Sequence, residues 1–397
     1  MRQQYEPSAD RIIALYQQLE DDILSAVIRR ILKMGYVSEA SKHQLEVLQA
    51  AGLLYDDIVQ LIADRTDACT AQVKALFEDA GVQTVEIDNS LHEAAGALPI
   101  DIRQDSSTRQ VLEAGYKKTL GTMQNLVSTT ATQTQTAFIQ TCDRIYMQVS
   151  SGAFSYQEAI MNALRALADT GATVSYPTGH TDRMDVAVRR CVLTGVSQTA
   201  AAVSLRQAED AGCYLMEITA HSGARPDHAK WQGQLVTITG KDAGKIIDGL
   251  RVFTLSEIGY GSGEGFKGWN CRHNWHAYYP GFSTPNYTPE ELKRLDEPCI
   301  SYNGKLYTEY EVSQMQRAQE RRVRAWKRRC ITAQEGVNSA TDEATRATAQ
   351  AEFDRSARYL KNNEAKLKDF CRKTGQDRDR FREQVLGFNR STAQKAV

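Results

Sequence analysis

Two short runs of residues, HSGARPDHAKWQG at 221–233 and GWNCRHNWH at 268–276, decide how the chain is organised. With the residues between them, they hold four of the seven histidines and three of the four tryptophans. Glycines recur just before and into the second run, interleaved with aromatic residues, at Gly259, Gly261, Gly263, Gly265 and Gly268. Glycine lets a backbone turn tightly, and large aromatic rings anchor such turns. We therefore predict ordered, glycine-rich loops that gather polar side chains. The spacing matches neither the strand-Gly-x-Gly-x-x-Gly-helix pattern nor the Gly-Lys-Ser/Thr ending of nucleotide-binding loops.

The residues that flank these loops alternate in the way that strands do. Tyr214, Met216 and Ile218 alternate with Leu215, Glu217 and Thr219, and two further short apolar runs follow at 235–238 and 250–253. Such runs, bounded by turn-forming residues, are typical of half-buried strands. The sequence predicts a small central α+β domain whose sheet carries the glycine-rich loops.

The N-terminal half has helical periodicity. Apolar residues from Ile12 to Leu32 recur at helical spacing, and Gly35 would end that helix. Shorter helices are predicted after it, the first ending at Gly52 and the last at Gly81. Long polar-faced helices are predicted over 106–167, with Ser155 as a cap, and another helix over 185–208.

The C-terminal part begins after the densest group of prolines, which ends at Pro298, and no proline follows. Apolar residues then recur at spacings of three and four over 312–330 and 353–370, with Gly336 between the two runs. We predict two long helices that fold back as a hairpin or dock on other subunits.

The fold class predicted from these patterns is α+β and predominantly α-helical. It consists of a helical N-terminal region, a small central α+β domain with Gly-rich loops and a long C-terminal helical hairpin. The predicted division is 1–105 as an N-terminal helical bundle, 106–210 as a long-helix connecting region, 211–298 as the α+β motif domain and 299–397 as a basic helical tail.

Composition is that of a globular chain with oppositely charged ends. Of 397 residues, 42% are hydrophobic, which is enough for two or three cores. Residues 1–100 carry 8 Lys and Arg against 16 Asp and Glu, whereas residues 305–397 carry 21 against 13. The ends either face different partners or are solvated helical surfaces. The eight cysteines are scattered singly, which favours a reducing compartment. We expect neither a secretory signal nor a membrane span.

Histidines and a cysteine in the central segment suggest a metal site. The candidate zinc ligands are His228, Cys271, His273 and His276, with His221 as a fifth donor nearby. The irregular spacing fits a structural role better, in which these side chains brace loops and Cys271 is simply buried. The prediction is no cofactor, with zinc as the alternative.

Two hydrolytic hypotheses use the same residues. Cys271 could act as a thiolate nucleophile with His228 or His273 as its base. A nuclease could use His228 as base, with Arg225 or Arg272 holding a phosphate. No third, orienting group is apparent, so the sequence predicts no catalytic residue.

One face of the first C-terminal helix is strongly basic around Trp326. Such a helix can bind nucleic-acid phosphates without sequence specificity, although it can also be solvated or paired with acidic residues of a partner. The candidate residues for contact with DNA or a partner are Arg321, Arg322, Arg324, Lys327, Arg328 and Arg329.

The two runs that open this section, together with the Gly-Tyr-Gly segment at Gly259, resemble the signature of the tailed-phage minor capsid protein 2 family, which is related to Mu F-type head-morphogenesis proteins. Segments at 12–35, 52–55, 149–154, 176–179 and 185–190 resemble the family in the same order. The structural motif residues carried over are His221, Arg225, His228, Trp231, Gly233, Asn270, Cys271, Arg272 and His273. Relatives often have a cysteine where this chain has His273.

The resemblance implies a virion protein of low copy number, assembled in the bacterial host cytoplasm and bound at or near the portal vertex. Its implied partners are the portal protein and, as further neighbours, capsid or scaffolding proteins, and its implied role is head assembly or genome delivery. The resemblance implies no catalytic activity. The alternatives are a His/Cys-based nuclease and a zinc-binding, DNA-contacting module packaged in the head.

Overall fold

The computed structural model describes residues 6–102 and 104–396. It is 65% helical and 8% strand, which confirms a predominantly α-helical α+β protein. No helix among the described residues is both long and apolar enough to span a bilayer. The helices are α1 (Glu6–Met34), α2 (Ala40–Ala94), α3 (Ser106–Ser150), α4 (Tyr156–Thr170), α5 (Met184–Asp210), α6 (Pro226–Ala229), α7 (Pro289–Leu295), α8 (Glu309–Ser339), α9 (Glu343–Thr374) and α10 (Arg390–Lys395).

The predicted series of short N-terminal helices is wrong, because α2 is one continuous helix of 55 residues. Gly52 and Gly81 lie inside it and neither has the positive φ of a helix-ending glycine. A Cβ on Gly81 would lie 2.6 Å from Leu112 Cδ1 on α3. The missing side chain therefore permits close packing, which offsets the roughly 1 kcal/mol that glycine costs within a helix.

The middle helices follow the sequence pattern closely. Ser155 caps α4 in a capping box with Glu158, and Gly171, at φ 69°, ends the helix as predicted. A hairpin of β1 (Thr173–Ser175) and β2 (Thr181–Arg183) precedes α5. The valines predicted to face inward on α5 are fully buried: Val188, Val192, Val196 and Val203.

The central sheet has five strands in the order β5-β6-β4-β3-β7. Three predicted strands are confirmed: β3 (Leu215–Ile218), β4 (Leu235–Thr237) and β6 (Leu250–Thr254). The other two strands, β5 (Ile246–Ile247) and β7 (Trp275–Tyr278), were not predicted. Strand β7 lies antiparallel to β3. All four residues of β3 are buried, so both of its faces are covered.

The C-terminal helical hairpin is confirmed, although its turn is misplaced in the prediction. A small hairpin of β8 (Ile300–Tyr302) and β9 (Lys305–Tyr307) precedes α8. Helix α8 continues past Gly336 to Ser339, and α9 starts after the N-cap Asp342. A Cβ on Gly336 would lie 2.9 Å from Leu164 Cδ1, so this glycine also serves close packing.

Two compact units make up the chain, and each combines stretches that are distant in sequence. The first contains the described residues up to Arg11, Thr70–Met123 and Arg189–Gln314. The second contains Ile12–Cys69, Gln124–Val188 and Met315 to the last described residue. The bounds of these units do not coincide with those of the four predicted segments. The division into four domains stays a prediction. The candidate site lies within the first unit, and the C-terminal hairpin lies mostly within the second.

Candidate functional site

Strand β3 anchors the two signature runs. The first run leaves β3 and returns through Gly233, whose N–H donates to Ile218 O at 2.9 Å. The second run enters β7 after Asn274, whose carbonyl accepts from Thr219 N at 2.9 Å. The two runs are therefore fixed at the same end of β3, which places their side chains together.

The glycine-rich loop packs backbone against backbone. Phe266 N donates to Ile258 O at 2.9 Å, and a Cβ on Gly265 would lie only 2.1 Å from Gly259 O. A side chain at Gly265 would displace main chain, which is far costlier than displacing a flexible side chain. This close approach confines the loop to one conformation.

Aromatic rings fill the space beneath the loop. Trp231 meets Phe266 edge-on with ring centroids 5.8 Å apart, and Phe266 lies 4.9 Å from Trp275. All three are at most 2% exposed and share a core with Met216, Val236 and Phe253. Trp269 is the exception, since 51% of its surface is exposed.

Three of the four predicted metal ligands come together. The candidate ligand atoms of His228, Cys271 and His273 all lie within 4.8 Å of one another, and the three side chains are buried. His221 packs its ring against His273 with centroids 4.4 Å apart. His228 also lies against Trp231, at 4.5 Å between centroids.

His276 does not join this group, so its assignment as a ligand of the same site is wrong. Its side chain lies on β7 and contacts Glu217 Oε2 at 3.3 Å and Asn286 Nδ2 at 2.9 Å. Because side chains alternate along a strand, His276 points to the opposite side from Trp275, whose ring lies in the core. The predicted sharing of a face by His273 and His276 required a helix at this position, and the structure has a strand.

Burial controls protonation in the group. It lowers the pKa of His273 to about 2, with the neighbouring His221 and His228 contributing further, so His273 is neutral near pH 7. Burial also lowers the pKa of His228 and of His221. Burial raises the pKa of the Cys271 thiol, which opposes the thiolate that the nucleophile hypothesis requires.

The remaining signature residues mainly brace the loops. Arg225 donates to the carbonyl of Glu264 in the glycine-rich loop and lies beside His228 Nε2. Gly233 has φ 65°, and a Cβ there would lie 2.4 Å from Leu292 Cδ2. Asn270 adopts φ 57° at an exposed turn, and Arg272 is half-buried. The arrangement fits the structural alternative for this motif, in which polar side chains hold loops.

Several buried polar residues of this region were missed by sequence reasoning. Glu217 is fully buried and accepts from Asn286 N at 2.9 Å and from Asn286 Nδ2 at 2.8 Å. Lys267 is 3% exposed, and burial lowers its pKa to about 8, while its Nζ donates to Ser197 Oγ at 3.2 Å. Glu217 alternates with apolar residues, which indicates a solvent-facing position; only the tertiary covering by the Asn286 loop makes it internal.

Four of the six basic residues proposed for DNA contact form ion pairs within the second unit. Arg328 is 6% exposed and lies 3.5 Å from Asp185 Oδ2 and 3.9 Å from Glu20 Oε1. Arg324 reaches the same Asp185 oxygen at 3.8 Å. Their positive charge is directed at buried carboxylates.

Lys327 and Arg329 also form ion pairs within the second unit. Lys327 Nζ lies 3.7 Å from Glu364 Oε1, and Arg329 binds Asp169 through two nitrogens at 2.7 and 2.9 Å. Arg321 and Arg322 are exposed. Four of the six are thus paired with acidic groups of the chain itself, and pairing of this helix with a partner stays a prediction.

The sequence is similar to known phage proteins. The family described as "Phage minor capsid protein 2" matches residues 2–372. The chain is similar to a "Structural protein" of Lactococcus phage LL-H, with 24% identity over 333 residues that cover 81% of this chain and 86% of that protein. It is also similar to a "Structural protein" of Lactococcus phage mv4, with 37% identity over 81 residues that cover 20% of this chain and 57% of that protein. No solved structure matches the chain.

Proposed function

Because the chain belongs to the phage minor capsid protein 2 family, we propose that this structural protein of the virion acts at or near the portal vertex, in head assembly or genome delivery. Its direct partner in this proposal is the portal protein, with capsid or scaffolding proteins as further neighbours. In this proposal, assembly takes place in the host cytoplasm.

The proposal rests on the burial of the signature residues, whose side chains contact other parts of the same unit. His228, Trp231, Cys271 and His273 are all at most 4% exposed. Arg225 is held by a loop carbonyl. A group that transforms a substrate must reach it, whereas a group that fixes loops only needs internal partners. The motif therefore supports a rigid binding piece better than an active site, and we propose no enzymatic activity.

We do not extend the proposal to DNA. Four of the six basic residues that suggested DNA contact are paired with carboxylates of the second unit. Nonspecific DNA binding depends on cations that neutralise phosphates, and paired cations contribute less to it.

Helix α2 offers a surface suited to a protein partner within the second unit. Its apolar residues Val47, Ala51, Leu54 and Ile58 are buried, yet others on the same helix are 43–65% exposed: Leu45, Leu48, Leu53 and Val59. We call these four exposed residues the α2 stripe. Residues 40–69 carry two basic and five acidic side chains, so the stripe has an acidic border. An apolar patch with a polar border is typical of an interaction site.

The double substitution Leu45→Glu and Leu48→Glu is expected to weaken portal binding by at least about tenfold, since charges would replace apolar surface at the interface. Binding of the full chain to purified portal rings, measured by biolayer interferometry, tests this. Both leucines are more than half exposed, so the variant should keep the unfolding temperature of the parent.

The matched control is Gln44→Glu, which adds a carboxylate at an exposed polar position of the same helix turn. We expect it to bind like the parent protein. Equal affinity of the parent and the double variant would show that the α2 stripe is not the portal-binding surface. Failure of the parent chain to bind portal at all would refute the proposed partner.

A further inference from the structure

We propose that His228, Cys271 and His273 bind a zinc ion, with His221 as the fourth ligand. Histidine nitrogen and cysteine sulfur are the usual zinc donors, and structural zinc sites have four of them. The proposal concerns the first unit alone and does not depend on the proposed portal partner.

The distance between Cys271 and His273 suits a shared zinc ion. Cys271 Sγ and His273 Nδ1 are 3.6 Å apart. With Zn–S near 2.3 Å and Zn–N near 2.0–2.1 Å, tetrahedral angles place sulfur and nitrogen ligands about 3.5–3.6 Å apart. A direct S–H···N hydrogen bond of this length is weak, so the pair gains more from a common cation than from one another.

Outer contacts direct suitable lone pairs toward the group. His273 Nε2 lies 3.4 Å from Gln232 Oε1, an acceptor that also receives His221 N at 3.2 Å. With its proton on Nε2, His273 presents the lone pair of Nδ1 to Cys271. His228 Nε2 contacts both Glu264 O, at 2.8 Å, and the Arg225 guanidinium; in the tautomer whose Nε2–H donates to Glu264 O, the lone pair of His228 is on Nδ1. Ligand histidines typically donate their other N–H to a carbonyl in this way.

His221 supplies the independent sign that a ligand is expected here. Its Nδ1 lies 2.9 Å from Ser222 O, so Nδ1 carries the proton and Nε2 carries the lone pair. Nε2 is buried and has no hydrogen-bond partner among the described residues. Leaving a buried acceptor unsatisfied costs about 1–3 kcal/mol. The ring already packs on His273, but His221 lies outside the group of three, so its ring must rotate for Nε2 to bind zinc.

Two cations near the group limit its affinity. Arg225 and Lys267 both interact electrostatically with Cys271, and Arg225 remains bonded to Glu264 O. Because Arg225 and Lys267 repel a zinc ion, we expect zinc to bind this site more weakly than a site with two thiolate ligands. Arg225 nevertheless supports the same carbonyl that orients His228.

Zinc content of the full-length protein tests the proposal. After purification without chelator and dialysis against zinc-free buffer, elemental analysis should find about one zinc per chain, as one four-ligand site requires. Cobalt added to the metal-stripped protein should give a thiolate-to-cobalt charge-transfer band. The Cys271→Ser variant should lose that band and bind zinc at least about 100-fold more weakly, beyond the 10–100-fold that loss of an outer contact costs.

Two histidine variants distinguish this ligand set from a general histidine effect. His221→Gln should weaken zinc binding at least about tenfold. His276→Gln should leave zinc affinity unchanged, because His276 belongs to the Glu217 group. The proposal is overturned if zinc stays below a tenth of an equivalent even after zinc is added. It is equally overturned if His276→Gln weakens binding as much as Cys271→Ser does, or if His221→Gln has no effect.

Discussion

Replacing Arg328 with alanine is expected to lower the free energy of unfolding by about 3–5 kcal/mol. Arg328 is 6% exposed and lies between Glu20 and Asp185, whose side chains are 3% and 2% exposed. Removing the guanidinium would leave two buried carboxylates with less compensation, which is more costly than losing the attraction of the pair alone. Urea unfolding of the full chain, followed by circular dichroism, measures the change.

The loss is limited by two other arginines in the cluster. Arg183 pairs with Glu20, and Arg324 lies 3.8 Å from Asp185. Arg321→Ala is the matched control, because Arg321 is exposed on the same helix, and its effect should stay within about 0.5 kcal/mol. If both substitutions changed stability equally, the buried charge cluster would not have the role assigned to it.

Replacing Trp231 with alanine is expected to cost about 3–5 kcal/mol, the usual cost of removing a buried tryptophan. Trp231 is 2% exposed and packs against Phe266, His228 and His273. Its loss would leave a cavity that a glycine-rich loop packed backbone to backbone cannot fill. Thermal and urea unfolding provide the measurement.

Trp269 offers a control with the same chemistry in the same segment. It is 51% exposed, and its ring lies against Gly263 and 5.8 Å from Arg190 Cζ. Trp269→Ala should therefore cost less than about 1 kcal/mol. A larger loss from Trp269→Ala than from Trp231→Ala would contradict the assignment of the core.

Local patterns predicted the elements whose boundaries depend on local chemistry. The Ser155 capping box and the alternation around Met216 each place an element correctly. The errors in α2 and α8 have a common cause. Gly52, Gly81 and Gly336 resemble helix stops in sequence, but they lack the positive φ with which Gly171 ends α4.

The contacts at the site that could not be predicted from the sequence depend on packing between residues far apart in the chain. The sequence predicted that His228, Cys271 and His273 come together, because all three lie in one segment that is rich in histidine, tryptophan and glycine. That His276 lies apart from these three could not be predicted without knowing that 275–278 forms a strand beside β3. The basic face of α8 was read correctly as charged, but its carboxylate partners Glu20, Asp169 and Asp185 come from distant parts of the chain.

We propose that this structural protein of the virion acts at or near the portal vertex. An electron cryo-microscopy reconstruction of the phage head, computed without imposed symmetry, tests it most directly. We predict density for this chain in contact with the portal ring, with the His228, Cys271 and His273 side chains enclosed. Density for the chain distributed over the capsid lattice, and none at the portal vertex, would contradict the account.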